Sequence, residues 1–494
     1  MGTPPVRLNF PARGACSSDA IAGPLSLVRD HCEGYHDGTV RRSCRAESGP
    51  NRQKFSVDRG DAMTSRNRLT ALAVVFLLLL VPQTLAAQGL VRVTPEEVGM
   101  SSERLDRLSL ALETYVDEGR LAGAVTIVVR RGKIAYREGL GYQDVEAQAP
   151  MPSDGIFRIA SQTKALASVG VMLLQEEGKL LITDPIGKYL PAFAETTVAE
   201  PNDEGGYNVV PARRPITIRD LLTHTAGISY GMGLLANRGP AADAWEEAGI
   251  TGWYFANRDE PVLDTMARLA ELPMDAHPGE RWIYGYNTDI LGAMIEQISG
   301  QTLGEFLKER LFDPLGMTDT HFFLPESKVG RLATVYSSLG DGSSFERAPD
   351  PGHMEGQGHY VNGPRTAFSG GAGALSTATD YATFLQMMLN GGELNGTRIL
   401  SRTSVESMIS DHMDGIDFRP GQSFGLGFSL THDPAATGLP GSVGEFAWAG
   451  AYHSTYWVDP KEELIVVYLT QIIPAINLDD QRKVRTMVYQ AIVD

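Results

Sequence analysis

The sequence predicts an α/β (α+β) protein, with a mainly antiparallel sheet flanked by helices and an all-helical domain inserted between the two stretches that build the sheet. Three observations lead there. Strand-like runs rich in β-branched and aromatic residues cluster near residues 124–136 and return at 424–469. From about 161 to 390 the chain reads mostly as helical patterns joined by Gly- and Pro-rich loops. An amphipathic segment precedes the first strand cluster, and another closes the chain. Two chain ends that supply strands around a helical middle are most economically one sheet with an insertion. No repeat of solenoid period is visible.

In chain order, residues 1–62 are rich in Arg, Ser and Gly, lack sustained periodicity, and hold all three cysteines, Cys16, Cys32 and Cys44. Residues 63–87 have the layout of an export signal. Arg66 and Arg68 follow Met63, an apolar run extends from Leu69 to Val81, and small residues end at Ala86 and Ala87. That run is too short to span a bilayer, and no stop-transfer flank follows it, although an uncleaved anchor is the alternative. A signal should begin a chain, so Met63 is a candidate start and 1–62 a leader from a wrongly assigned start codon. On this reading the mature chain begins near residue 88, is periplasmic or secreted, and has no cysteine for a disulfide, a thiolate zinc site or a cysteine nucleophile.

The next elements follow from pattern. Ser101–Glu118 is an amphipathic helix. Ala124–Val129 and Lys133–Tyr136 form a hairpin about the Arg131-Gly132 turn. A helical subdomain is expected over about 180–390. Within it, Glu200–Pro215 and Ala348–Gly373 are turn-rich stretches suited to lining a pocket. Phe424–Leu430, Tyr456–Val458 and Leu464–Leu469 are strands, and Asp479–Val493 is the closing helix.

Charge narrows the partners. The 494-residue chain carries a formal charge of −17, and residues 1–87 hold 11 basic and 7 acidic side chains, so the remainder has 32 basic against 53 acidic, a net −21. Such a body repels phosphate backbones and anionic membrane surfaces, which disfavours nucleic acid; with the short apolar run removed as a signal, no stable membrane span is expected. A small-molecule substrate is the expected partner. The sequence leaves the oligomeric state open.

Three segments can carry chemistry. In Phe157–Leu174 (FRIASQTKALASVGVMLL), a short strand runs into a helix whose first turn holds Ser161 and Lys164. Spacing i, i+3 puts hydroxyl and amine on one face. A serine needs a base, and a helix N-terminus offers N–H groups to a developing oxyanion. Ser-x-x-Lys arises by chance about once in such a chain, and an N-cap serine beside a solvated lysine is the bland reading. The small apolar face around the pair (Ala165, Ala167, Val169, Val171) suits a buried helix instead, where an unpaired lysine would be costly.

In Ala276–Gly292, Tyr284 follows the Pro278-Gly279 turn and precedes a helix. A phenol whose pKa is lowered by a neighbouring lysine can relay a proton, whereas the bland reading makes Trp282, Tyr284 and Tyr286 core aromatics. In Phe446–Pro460, Trp448-Ala449-Gly450-Ala451 can run along a site edge. Gly450 would let a ligand approach the backbone closely, and the Ala451 N–H is a candidate oxyanion donor.

Gly227–Gly231 (GISYG) matches a nucleophile elbow around Ser229, but a helix-like segment precedes it and a Gly-rich loop follows, which is the wrong context. The histidines are scattered singly and suggest no metal, and no cofactor is expected. His453, three residues after Gly450, is the one candidate for the site.

Taken together, these segments resemble the serine β-lactamase/penicillin-binding superfamily from about Pro95 to the C-terminus. Ser161-Gln162-Thr163-Lys164 resembles its S-x-x-K, Tyr284 the Tyr of its Y-x-N, and Trp448-Ala449-Gly450 stands where K-T-G is found. ITIRDLLTHTAGI, LSTATDYATFLQMMLNGG and YWVDPKEELIVVYL are also similar to family segments. Two departures matter: Tyr286 replaces the Asn of Y-x-N, with Asn287 one position late, and Trp448 replaces the K-T-G lysine. With the YxxxxDxLG run from Tyr284 to Gly292, they resemble the class-C-like carboxylesterases (family VIII esterases). The resemblance implies a β-lactamase/transpeptidase-like fold over residues 88–494 and ester hydrolysis through an acyl-enzyme on Ser161. Lys164 and Tyr284 would share the role of base, the Ser161 and Ala451 N–H groups would hold the oxyanion, and Trp448, Gly450, Tyr286 and His453 would flank the substrate. A class C-like β-lactamase or D-alanyl-D-alanine carboxypeptidase is the near alternative, and a non-catalytic penicillin-binding-type sensor the distant one.

Overall fold

A computed structural model describes residues 89–232 and 239–494; the leader and export signal read from the sequence lie outside the described residues. Nine strands build the main sheet: β1 (Val91–Arg92), β2 (Gly123–Arg130), β3 (Lys133–Asp144), β4 (Ala149–Pro150), β5 (Gln422–Phe424), β6 (Ser429–Thr431), β7 (Phe446–Gly450), β8 (Ser454–Asp459) and β9 (Leu464–Thr470). Their order is β1-β3-β2-β9-β8-β7-β6-β5, with β4 on β3. Only β1 runs parallel to its neighbour; the other pairs are antiparallel. N-terminal and C-terminal strands meet where β2 pairs with β9, Val466 opposite Val128.

These two strands are buried along their whole length, as their unbroken apolar sequences require. Their side chains alternate between two cores. Val125, Ile127, Val129, Ile465, Val467 and Leu469 face the larger one, with Leu166 and Val169. Ala124, Val128, Leu464, Val466 and Tyr468 face the smaller one. The smaller core is closed by α1 (Ser102–Asp117), which buries Leu105, Leu108, Leu112 and Tyr115 at helical spacing, and by the C-terminal helix Asp480–Gln490. Ser101 caps α1, accepting the Arg104 N–H at 3.3 Å.

The β2–β3 turn is at Arg131 (φ 52°) and Gly132 (φ 72°), the two left-handed residues of a type I′ hairpin. β3 runs eight residues beyond the expected Tyr136, because its distal half is paired to β2 and β4 without an alternating apolar pattern to reveal it. Phe424–Leu430, expected as one strand, is two. Gly427 (φ 95°) bends the chain between β5 and β6 against Ser168.

The larger core is covered by α2 (Thr163–Glu176), α3 (Asn287–Ser299) and α4 (Ala378–Leu389), with shorter helices between. The intervening chain also carries two hairpins, Thr197–Pro201 with Tyr207–Pro211 and Tyr336–Leu339 with Ser344–Arg347. Glu200–Pro215, read as a pocket loop, is therefore partly strand. No helix among the described residues is long and apolar enough to cross a membrane.

Candidate active site

Phe157–Arg158 pairs with Leu375–Ser376, and the chain then turns sharply at Ala160, whose φ of 42° is strained for a residue with a side chain. The turn puts Ser161 in a single 3-10 turn, Ala160–Gln162, that runs directly into α2. Every residue from Ile156 to Leu174 is buried except Ser161, so one hydroxyl of this segment reaches the surface. The Tyr381 hydroxyl, donating to Gln162 O at 2.8 Å, and the Thr163 hydroxyl, accepting the Ala374 N–H at 3.0 Å, fix the turn.

Lys164, 1% exposed, is one helical turn on. Its Nζ donates to Gly371 O at 2.7 Å, to the Tyr230 hydroxyl at 2.9 Å and to Ser161 Oγ at 3.4 Å. Those three acceptors match the three protons of an ammonium. Among the described residues no carboxylate is within ion-pair distance of Lys164. The ring face of Tyr284 supplies further stabilisation, with its centroid 4.5 Å from Nζ. Behind Gly371, the fully buried Asp289 accepts the Ser369 hydroxyl at 2.6 Å and the Gly371 N–H at 3.0 Å. Burial raises the Asp289 pKa while the Lys164 charge opposes the shift. A Cβ on Gly371 would sit 2.3 Å from the carboxylate, so only glycine lets this loop carry its carbonyl to Lys164. Burial pushes the Tyr230 phenol well above its ordinary pKa, aided by Tyr284 and Asp289, so Tyr230 stays neutral. Burial, then Lys164, pushes His224 well below its ordinary value, and the neutral ring packs 4.9 Å from that of Tyr284.

Tyr284 and Ser161 line one cavity of about 590 Å³, a size suited to a small organic molecule. No hydrogen bond joins these two residues among the described contacts; the Tyr284 oxygen accepts the Trp448 indole N–H at 3.2 Å. Trp448, Ala449, Gly450 and Ala451 form one wall, Met232, Trp253 and Met354 contribute apolar surface, and Arg419, Gln422, Ser429 and Thr431 extend the cavity along β5 and β6. The stretch Ala348–Gly373 does border the cavity, through Met354 and Glu355, whereas Glu200–Pro215 does not.

Ser161, Lys164, Tyr284, Trp448 and Ala451 thus converge, and two expectations, for Tyr286 and His453, need correction. Gly450 lines the cavity, and its lack of a side chain also makes room within the protein, because a Cβ there would meet Ile159 O at 2.5 Å. Glycine is needed to bring β7 onto the Ser161 turn. Tyr286 is fully buried behind Tyr230, 4.9 Å between ring centroids, and does not reach the cavity. At the start of α3, it projects into the core against Trp245 and Phe255. His453 turns away from the cavity. In a left-handed conformation (φ 60°) at the β7–β8 turn, its Nε2 binds Asp480 at 2.7 Å, and Asp480 also accepts from Tyr468 at 2.6 Å. Burial opposes ionisation of Asp480, but the His453 and Tyr468 hydrogen bonds overcome it and lower its pKa.

Asn287 is likewise structural, donating to His224, Ile228 O and Ile283 O at 3.0–3.3 Å. Ser229 accepts the Gly231 N–H at 3.0 Å and is absent from the cavity lining. Its neighbour Tyr230 is the residue that sequence reasoning missed, along with the Asp289–Gly371 brace. Both act across 66 or more residues of chain, and only the Asp of YxxxxDxLG gave a local signal.

Known proteins resemble this chain over most of its described length. The β-lactamase family model matches residues 108–485. Protein Rv1367c of Mycobacterium tuberculosis is 34% identical over 387 residues, 76% of this chain and 92% of that protein. Esterase EstB of Burkholderia gladioli is 32% identical over 381 residues, 74% of this chain and 89% of that one. Among solved structures, EstCE1, described as a hydrolase with promiscuous acyltransferase activity, superposes with a TM-score of 0.66 at 26% identity, covering 78% of this chain and 98% of its own. The chain belongs to the β-lactamase family and is a serine hydrolase.

Proposed function

We propose that the protein hydrolyses small carboxylic esters through an acyl-enzyme on Ser161. The observation that carries this reading is the one accessible hydroxyl of its segment, 3.4 Å from a buried amine, opening into a cavity that it shares with Tyr284. Ser161 Oγ bonds to the ester carbonyl carbon, and its proton passes to the Tyr284 oxygen, which accepts it as a phenolate beside Lys164 Nζ. The Ser161 and Ala451 N–H groups hold the oxyanion. As the C–O bond to the alcohol breaks, Tyr284 returns the proton to the departing oxygen. Water then reverses these steps and frees Ser161. Tyr230 and Gly371 hold the Lys164 amine in place during both halves.

Trp448 at the K-T-G position supports an ester rather than a β-lactam, since it offers an apolar ring where a lysine would receive a carboxylate. The names of EstB and EstCE1 support it as well. Export to the periplasm or medium is part of the proposal and rests on the signal-like pattern of residues 63–87. N-terminal sequencing of the protein from its native host checks it: a start near residue 88 is expected, and recovery of residues 1–62 in the mature protein would refute it.

The hydrolase reading is tested with p-nitrophenyl esters of graded chain length beside nitrocefin. Short-chain esters are expected to be cleaved much faster than nitrocefin. Ser161→Ala should lower kcat/KM by about 1,000-fold or more, while Ser229→Ala retains most activity. The reverse pattern would overturn the assignment of the nucleophile, and faster nitrocefin cleavage would overturn the ester preference.

A further inference from the structure

The cavity contains a cation that the ester mechanism does not use. Arg419 lines it from the segment before β5, in a turn closed by the Gln422 N–H on Arg419 O at 2.9 Å. Pro420 and Gly421 (φ 72°) occupy the central positions of that turn, which fixes the backbone that presents the side chain. The guanidinium lies 4.8 Å from the Phe418 ring centroid and 5.5 Å from that of Trp448. Such stacking holds the planar head while leaving its N–H edge free to donate. Among the described residues no carboxylate lies within ion-pair distance of it, and its donors have no hydrogen-bond acceptor.

The other charges around the cavity behave differently. Arg485 is paired with Glu445, whose carboxylate also accepts from Tyr489. Glu355 is, like Arg419, exposed to water, but it carries the opposite sign and would repel an anion. Position decides which part of a substrate meets the free guanidinium. Arg419 stacks on Trp448, and Trp448 donates to the oxygen of Tyr284. In the proposed mechanism Tyr284 protonates the departing alcohol, so Arg419 is on the leaving-group side.

We infer that Arg419 forms an anion subsite of the ester cavity, and that the preferred substrates are esters whose alcohol portion carries a carboxylate, that is, esters of hydroxy acids. The inference rests on the ester-hydrolase reading. It returns a positive charge, from a different segment, to a wall where tryptophan has removed one. A forked guanidinium can hold a carboxylate through two N–H donors, which a lysine does not reproduce.

The test compares 4-carboxyphenyl butyrate with its neutral methyl ester, 4-(methoxycarbonyl)phenyl butyrate, in the wild type, Arg419→Ala and Arg419→Lys. The ratio of kcat/KM values for the two esters, divided by the same ratio in a variant, cancels their intrinsic reactivity. In the wild type that ratio should exceed the Arg419→Ala ratio by about tenfold or more, with Arg419→Lys between them. Ratios equal within twofold in wild type and Arg419→Ala would overturn the subsite. An Arg419-dependent preference for monophenyl succinate, which carries its carboxylate on the acyl side, would overturn the leaving-group placement. Binding of 4-hydroxybenzoate against methyl 4-hydroxybenzoate to Ser161→Ala, measured by calorimetry, separates this inference from the ester reading. If the wild type cleaves neither ester yet Arg419→Ala weakens 4-hydroxybenzoate binding tenfold, the ester reading fails and the anion subsite stands. If both neutral esters and p-nitrophenyl esters are cleaved without that binding difference, the subsite fails and the ester reading stands.

Discussion

Lys164 is held by a phenol, a peptide carbonyl and a serine hydroxyl, with an aromatic face as its fourth neighbour. A buried ammonium stays charged only if its protons are spent on acceptors, because several kcal/mol of hydration must be replaced. Tyr230 provides one of the three. Tyr230→Phe keeps the ring and its packing but leaves one N–H of Lys164 without a partner, a loss of about 1–3 kcal/mol. We expect kcat for p-nitrophenyl butyrate to fall about 10- to 100-fold with KM changed less than about threefold, read by steady-state kinetics. Unchanged kcat would mean that the phenol does not hold the amine. Tyr230 was hidden from the sequence because nothing local connects it to Lys164. By contrast, Ser161 and Lys164 were legible because the spacing of one helical turn already brings them together. Tyr286 and His453 were misplaced for a related reason. Their proximity in sequence to Tyr284 and Gly450 was evident, but the direction in which each side chain leaves a turn depends on backbone angles such as the left-handed conformation of His453.

Between β7 and the 3-10 turn of Ser161 there is room for a backbone and no side chain. Gly450→Ala places a methyl group 2.5 Å from both Ile159 O and Ser454 Oγ, so β7 has to move off the turn. Overpacking of this kind costs about 1–3 kcal/mol. Since Ala451 immediately follows, the same movement displaces the proposed oxyanion donor from Ser161. Gly450→Ala should therefore lower both thermal stability and ester turnover. Gly330→Ala, in an exposed short helix where a Cβ meets nothing within 4 Å, should change stability by less than about 0.5 kcal/mol. Equal stabilities for the two variants would show that β7 tolerates the methyl group. The strands themselves were readable where alternation or continuous apolar character is strong, as in β2 and β9. Reading failed at glycines, which extend β3 past its apolar half and divide β5 from β6. A glycine has no side chain to record which face of a sheet it occupies.

At the scale of the molecule, the sheet has a core on each face, and α4 joins the larger core to the segment around Thr320. Asp380, in the first turn of α4 and 8% exposed, accepts the Asp319 N–H at 2.8 Å and the Thr320 hydroxyl at 3.0 Å. Burial pushes its pKa up to about 6 from 3.8; those hydrogen bonds oppose the shift, and the charge of Asp319 adds to it. A carboxyl whose pKa is raised by folding favours the folded state in its protonated form. Its contribution is therefore complete below about pH 4 and disappears as the pH rises through 6. A shift of about two units corresponds to about 3 kcal/mol. Asp380→Asn keeps a side chain of the same size that is neutral at every pH. Denaturant unfolding of both proteins between pH 4 and 7 isolates this residue, because every other titrating group is common to the pair. The stability of Asp380→Asn relative to the wild type should rise by about 2 kcal/mol from pH 4 to pH 7, most of that total. A difference that stays flat, or that falls with rising pH, would mean that Asp380 is folded as a carboxylate and that burial at this junction does not control its charge.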